Sequence, residues 1–168
     1  MSKLIIFIGP PAGGKTSAAR LLAKEFEDPV LVEMDEIKKK LSGSVFANGD
    51  TEEEREMDRE MWFKQANLEI IKGLSERSYV IVDEGFHSNY YLRKLLSNVS
   101  VKPLVVKIFF SLKEHLSRDS KRKDKTDPNV LERVYDLFIN SDMIVPDFEI
   151  IDPNLSLREI IKKIRDLI

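Results

Sequence analysis

Short apolar runs alternate with amphipathic stretches along this chain. The runs fall at residues 4–8, 30–34, 79–82, 104–110 and 148–151. Most are unbroken rather than alternating, the pattern of strands buried on both faces. The stretches between them carry helix signals. Ala19, Leu22, Ala23 and Phe26 recur at helical spacing. Thr51 with Glu54, Ser111 with Glu114, and Ser156 with Glu159 each match a capping box that opens a helix. Asp127-Pro128 starts another, with Leu131, Val134, Tyr135 and Phe138 as its apolar stripe. Leu157, Ile160, Ile161 and Ile164 do the same for the last helix. Strands and helices in strict alternation predict an α/β fold, a three-layer doubly wound parallel sheet. Neither an internal repeat nor a low-complexity linker interrupts it, and 168 residues suit one domain spanning 1–168.

Composition narrows the function classes. A net charge of −2 gives no global basic field of the kind nucleic-acid binders show. The absence of cysteine excludes disulfides, thiolate catalysis and cysteine-ligated zinc. His87 and His115 stand too far apart in sequence to suggest a metal pair. The apolar run at 4–8 is too short to span a membrane and leads into a loop, not a cleavage site. The expectation is a cytoplasmic protein with no membrane partner.

The first strand runs into "GPPAGGKTSAAR", residues 9–20. Gly9, Gly14, Lys15 and Thr16, with Pro10, Pro11, Ala12 and Gly13 between them, form G-x-x-x-x-G-K-[ST], the Walker A phosphate loop. A predicted strand before it and a predicted helix from Thr16 and Ser17 supply the context the motif needs. Gly9, Gly13 and Gly14 let the backbone curl so that successive N–H groups face phosphate oxygens. The helix adds its positive end. Lys15 is placed to reach the β- and γ-phosphates of ATP, and the Thr16 hydroxyl to ligate Mg²⁺.

Ligands of open parallel sheets bind beyond the carboxyl ends of the strands. Asp35 follows the second predicted strand, and Asp83 and Glu84 follow the third. Two carboxylates beside a phosphate loop suit two tasks, organising Mg²⁺ and accepting a proton from an attacking hydroxyl. Each has a plainer alternative. Asp35 fits an N-cap for "EIKKKL", Asp83 fits a turn, and Glu84 fits capping, pairing or chemistry alike.

A basic cluster lies at "LSRDSKRKDKTD". Arg118 and Arg122 are spaced to share one helix face, with Lys121, Lys123 and Lys125 around them. Mobile cations over the phosphates would neutralise charge during transfer. A solvated helix end is the alternative, and the lysines fit it better than the arginine pair does.

Together "GPPAGGKT", "VEMDE", "VIVDEG", "SLKEHLSRDSKR" and "EIIDPNLSLREIIKKI" resemble P-loop kinases of the nucleoside-monophosphate-kinase-like group. In layout the chain is similar to the polynucleotide 5′-hydroxyl kinase domain, chloramphenicol phosphotransferase and small kinase-like proteins of the AAA type. The resemblance covers nearly the whole chain. It implies a five-stranded sheet in the order 2-3-1-4-5. It makes Asp35 the acceptor-side base, sets Asp83 near Mg²⁺, and makes 118–126 a short lid whose Arg118 and Arg122 serve ATP. It also places the loop carrying Pro153 beside adenine. The acceptor region, "SGSVFANGDTEEEREMDREMWFKQ", carries no substrate signature.

Three functions follow from these readings: a kinase moving the γ-phosphoryl of ATP to a hydroxyl, a P-loop ATPase or GTPase switch, and a nucleotide-binding module without catalysis. No N-K-x-D guanine motif supports a GTPase. Residues 36–62 set five cations against eight carboxylates. That balance disfavours a polynucleotide acceptor, which needs a basic track, and favours a small hydroxyl-bearing or nucleoside-type one. The alternative is that "TEEERE" only decorates a helix N-terminus, where acids are favoured, and that Lys38, Lys39 and Lys40 face the pocket alone.

Overall fold

The computed structural model describes residues 2–85, 88–140 and 144–168, so His87 lies outside the described residues. Five parallel strands form one sheet: β1 (Lys3–Ile8), β2 (Val30–Glu33), β3 (Tyr79–Asp83), β4 (Leu104–Ile108) and β5 (Phe148–Ile150). Their order is β2-β3-β1-β4-β5, as the resemblance implied. The helices are α1 (Lys15–Ala23), α2 (Met34–Ser42), α3 (Glu52–Glu76), α4 (Asn89–Leu95), α5 (Leu112–Asp119), α6 (Pro128–Asn140) and α7 (Leu157–Arg165).

The unbroken apolar runs are explained by two cores. Leu4, Ile6 and Ile8 of β1 face one side with Val32, Val80 and Val82, under Trp62, Phe63, Ala66 and Ile70 of α3. Ile5 and Phe7 face the other side with Ile81, Val106, Ile108 and Ile150, under Ala18, Ala19 and Leu22 of α1 and Ile160, Ile161 and Ile164 of α7. A strand covered on both faces carries apolar residues at successive positions.

Thr51–Glu54 and Ser156–Glu159 are complete capping boxes. Ser111 accepts the Glu114 N–H, but the Glu114 side chain is taken by Arg118 at 2.6 Å. Asp127 opens α6 by accepting the N–H groups of Asn129 and Val130. Leu157 departs from its expected core position and stays partly exposed, while the other three apolar residues of α7 are buried.

Two boundary shifts matter for the site. β2 stops at Glu33 and Met34 already belongs to α2, because Met34 and Ile37 turn together into the core. β3 runs one residue further than the apolar run, so that Asp83 is a strand residue paired with Phe7 and Glu33.

Candidate active site

The phosphate loop joins β1 to α1 across the carboxyl edge of the sheet. Gly9 has φ 142°, and a Cβ there would collide with the Ile108 carbonyl oxygen. Gly14, at φ 91°, is the N-cap of α1 and leaves the helix N–H groups uncovered by any side chain. Gly13 is not left-handed. Its constraint is the His115 ring, whose Cε1 would lie 3.3 Å from an added Cβ. Besides Gly9 and Gly14, Ala12 inside the loop is left-handed, at φ 60°. A non-glycine residue held there is strained, and such strain concentrates where a loop is pre-shaped for a ligand.

Lys15 folds back over the loop and donates to the Pro10 carbonyl at 3.0 Å. Burial lowers the pKa of its ammonium, against the opposing pull of Asp83, Asp35 and Glu84. Ser17 follows in α1 and is exposed. Thr16 donates its hydroxyl proton to Asp83 Oδ2 at 2.5 Å. Burial raises the Asp83 pKa, with Lys15 and the Thr16 hydrogen bond pulling it down. Asp83 Oδ1 is buried and has no hydrogen-bond partner among the described residues. Such an orphan carboxylate oxygen is costly unless something binds it. No group of three or more metal-ligating side chains exists among the described residues. A cation there would draw its remaining ligands from phosphate and water, the habit of Mg²⁺. The Thr16–Asp83 pair therefore fits Mg²⁺ held together with a nucleotide.

Asp35 lies in the first turn of α2, two residues after the N-cap position, which Glu33 occupies without a side-chain cap. The alternative role as N-cap thus does not apply. Its carboxylate is 67% exposed and stands 3.5 Å from Lys38 Nζ. Lys38 also donates to Glu84 Oε1 at 3.1 Å, and Glu84 Oε2 is buried without a partner among the described residues. Of the roles left open for Glu84, the structure shows pairing, with Lys38.

The arginines part company. Arg118 closes α5, and its guanidinium lies 4.3 Å from the Phe110 ring centre. It is held by Glu114 Oε1 at 2.6 Å and donates through Nη2 to the Pro153 carbonyl at 2.7 Å. The loop after β5 and the C-terminal end of α5 are joined through this side chain. Arg122 does not share its helix face, contrary to the expected spacing, because α5 ends at Asp119. The buried Asp119 carboxylate accepts the Thr126 N–H at 2.8 Å and Arg122 Nη1 at 3.2 Å, folding 120–126 into a turn. The picture of two free arginines beside each other is corrected to one fixed arginine and one paired with Asp119.

With this geometry in view, the model of an AAA domain, AAA_33, matches residues 4–141. The chain belongs to this family. No curated protein matches it. Among solved structures it is similar to the tunicamycin resistance protein of Deinococcus radiodurans, with 15% identity and a TM-score of 0.69 over 99% of this chain and 95% of that one. It is similar to the shikimate kinase of Acinetobacter baumannii in complex with shikimate, at 16% identity and a TM-score of 0.67 over 99% and 93%. It is also similar to the Mycobacterium tuberculosis APS kinase CysC in complex with AMPPNP and APS, at 18% identity and 0.66 over 99% and 96%. The AAA_33 chain thus carries the fold of P-loop kinases.

Two features of this AAA domain escaped the sequence reading. His115, noted only as lacking a metal partner, is buried against the loop. Phe110 can only donate its N–H, so His115 Nε2 carries the lone pair at 3.2 Å and Nδ1–H donates to the Pro11 carbonyl at 2.8 Å. The second is the Lys38–Glu84 pair, whose partners lie 46 positions apart. Neither has a local signal. The only hint was a histidine just after a strand end that faces the loop.

Proposed function

We propose that this protein is an ATP-dependent kinase that moves the γ-phosphoryl group to a hydroxyl of a small-molecule or nucleoside-type acceptor. The observation that carries the reading is the Thr16–Asp83 hydrogen bond with its orphaned carboxylate oxygen, set beside Lys15 and Asp35 at one sheet edge.

In this reading the N–H groups of residues 9–16 cradle the phosphates, and Lys15 exchanges the Pro10 carbonyl for the β- and γ-phosphate oxygens. Thr16 and Asp83 hold Mg²⁺, which neutralises phosphate charge when bound. Asp35 takes the proton of the acceptor hydroxyl as its oxygen bonds to the γ-phosphorus and the bond to the β–γ bridging oxygen breaks, leaving ADP. Arg118, anchored to Pro153, borders the base side of the nucleotide. Arg122 follows with the turn at 120–126.

Support for a small acceptor is stronger than the raw charge balance of 36–62, and of a different kind. Arg55 and Arg59 pair with Glu52, Arg59 also with Glu56, and Lys94 with Glu56 and Glu60. The acids cap α3, as the alternative held, but they also pair, and Lys38 and Lys39 are paired rather than facing the pocket alone, so the cations that a polynucleotide would need are consumed. Transfer of label from γ-labelled ATP to a panel of nucleosides, sugars, antibiotics and 5′-hydroxyl oligonucleotides tests the proposal. Labelled small hydroxyl compounds are expected. Steady ATP hydrolysis with no acceptor labelled supports an ATPase switch instead.

A further inference from the structure

Lys38 lies one helical turn along α2 from Asp35, the acceptor-side base of the proposed reaction. Its side chain is only 13% exposed and that of Glu84 only 6%. The ammonium lies 5.8 Å from the Trp62 ring centre, and Trp62 is itself fixed by donating to Ser42 Oγ. Burial works to lower the Lys38 pKa, yet the Glu84 and Asp35 carboxylates outweigh it and hold it above its ordinary value. Lys38 is therefore charged, and its charge is spent within the protein.

The neighbouring cations are spent too. Lys39 pairs with Glu36 at 3.1 Å, and Arg55, Arg59 and Lys94 are bound to the acids of α3. Lys40 is exposed and lies roughly 140° around α2 from Asp35. Around Lys15 the carboxylates of Asp83, Asp35 and Glu84 raise its pKa, and the Lys38 ammonium lowers it. Two ammonium groups share three carboxylates, and one oxygen each of Asp83 and Glu84 is buried without a partner among the described residues. The Asp83 oxygen is accounted for by a cation held with the nucleotide. The Glu84 oxygen is not. An unmatched buried acceptor asks for a hydrogen-bond donor.

We propose that the Lys38–Glu84 pair is a charge filter on the acceptor. With Lys38 neutralised and one Glu84 oxygen left free, the pocket takes a hydroxyl compound that is neutral or carries an amine, and rejects one that carries a phosphate. This rests on the kinase reading and narrows its substrate class. A phosphate ester would meet the Asp35 and Glu84 carboxylates while Lys38, Lys39, Arg55, Arg59 and Lys94 are each already paired, and like-charge juxtaposition discriminates strongly against the wrong partner. A hydroxyl or ammonium donor would fill the Glu84 oxygen without disturbing Lys38. Glu84 is then a specificity-determining residue.

The test uses matched acceptors with γ-labelled ATP: glucose, glucosamine, adenosine and kanamycin against glucose 6-phosphate and cytidine 5′-monophosphate. Wild type is expected to label members of the first set only. Glu84→Gln removes the shorter of the two ion pairs that Lys38 makes, leaving Asp35 at 3.5 Å, and is expected to shift the ratio of phosphate-bearing to neutral acceptors by at least about tenfold. A wild-type preference for the phosphate-bearing set, or an unchanged ratio in Glu84→Gln, overturns the filter and leaves the kinase reading standing. Steady hydrolysis of ATP with no acceptor labelled overturns the kinase reading itself. A second measurement needs no acceptor. Pyridoxal 5′-phosphate, an anionic aldehyde that condenses with lysine, is applied to the ADP-bound protein, reduced in place and mapped by mass spectrometry. Lys38 is expected to be spared in wild type and modified in Glu84→Gln. Equal reactivity of Lys38 in the two proteins overturns the proposal whatever the acceptor panel gives.

Discussion

His115 donates from Nδ1 to the Pro11 carbonyl at 2.8 Å and so braces the phosphate loop from outside the nucleotide site. Its other nitrogen accepts the Phe110 N–H, and its ring edge faces Gly13. Only the neutral ring makes both bonds, since a proton on Nε2 would point at another N–H. Burial lowers the pKa, the Pro11 hydrogen bond opposes that, Lys15 and Arg118 lower it further, and Glu114 raises it.

The sign of the pH dependence follows. The unfolded chain protonates its histidine near pH ~6.5, while the folded chain resists. Stability due to His115 is complete above that pH and is lost as pH falls toward the lowered folded pKa. Melting curves from pH 8 to 5 should show wild type losing more than His115→Gln, which has no titrating ring. His115→Ala leaves the Pro11 carbonyl and Phe110 N–H unpaired. It should cost about 1–3 kcal/mol, or several degrees of Tm, and weaken ATP binding. Parallel melting profiles for wild type and His115→Gln would remove the brace.

Lys15 and Asp83 should show activity and stability moving in opposite directions. Lys15→Met removes an ammonium whose burial disfavours its charge. Turnover should fall by about two orders of magnitude or more, as when one charge-stabilising donor is lost, while Tm holds or rises. Asp83→Asn neutralises a carboxylate that burial already pushes toward protonation. It should likewise melt no lower than wild type, yet need far more Mg²⁺ for any turnover. Turnover assays across a Mg²⁺ series, with Tm measured in the same buffers, check both. A destabilised Asp83→Asn with an unaltered Mg²⁺ requirement would make Asp83 a structural partner of Thr16 only.

How much of this was legible can be judged residue by residue. The strands were, because a strand covered on both faces writes an unbroken apolar run, and 4–8 lies inside β1. The strand order was not written in any local pattern; it came through resemblance, since pairing β1 with both β3 and β4 is set by packing across the whole sheet. The loop was legible down to Lys15 and Thr16, but Ala12 was not, because left-handed alanine has no sequence signal. Arg118 and Arg122 misled. Helical spacing assumes that the helix continues, and Asp119 ends it by capturing Thr126 seven residues on. Glu84 stayed open because its meaning depends on Lys38, a contact no spacing rule encodes.

Two glycines of the loop should respond very differently to alanine. At Gly9 the added methyl meets the Ile108 backbone, which is pinned within β4 and cannot yield. Gly9→Ala should unfold the loop and lose several degrees of Tm together with ATP binding. At Gly14 nothing lies within 4 Å of an added Cβ. Gly14→Ala should cost only the backbone strain of a left-handed alanine, about 1–2 kcal/mol. Calorimetry and nucleotide titration of the two variants separate steric from conformational need. Equal losses at the two positions would contradict the Ile108 contact.

Asp35 is the residue whose role depends most on chemistry rather than packing. It stands two positions past the N-cap of α2, exposed to solvent, with Lys38 as its ion-pair partner at 3.5 Å. An acid in a first helical turn contributes about 0.3–1 kcal/mol through the helix dipole, so Asp35→Asn should change Tm by little. As the acceptor-side base it should matter far more to turnover, with a loss of about 10²–10⁴-fold. In the proposed kinase the nucleotide contacts fall to the phosphate loop and Asp83, so the affinity for ATP with Mg²⁺ should stay within about twofold of wild type. Single-turnover transfer, equilibrium ATP binding and Tm, measured on one preparation, give the three numbers together. Normal transfer with a lowered Tm would make Asp35 a helix residue and nothing more. Transfer and ATP affinity lost in parallel would place it on the nucleotide rather than on the acceptor hydroxyl.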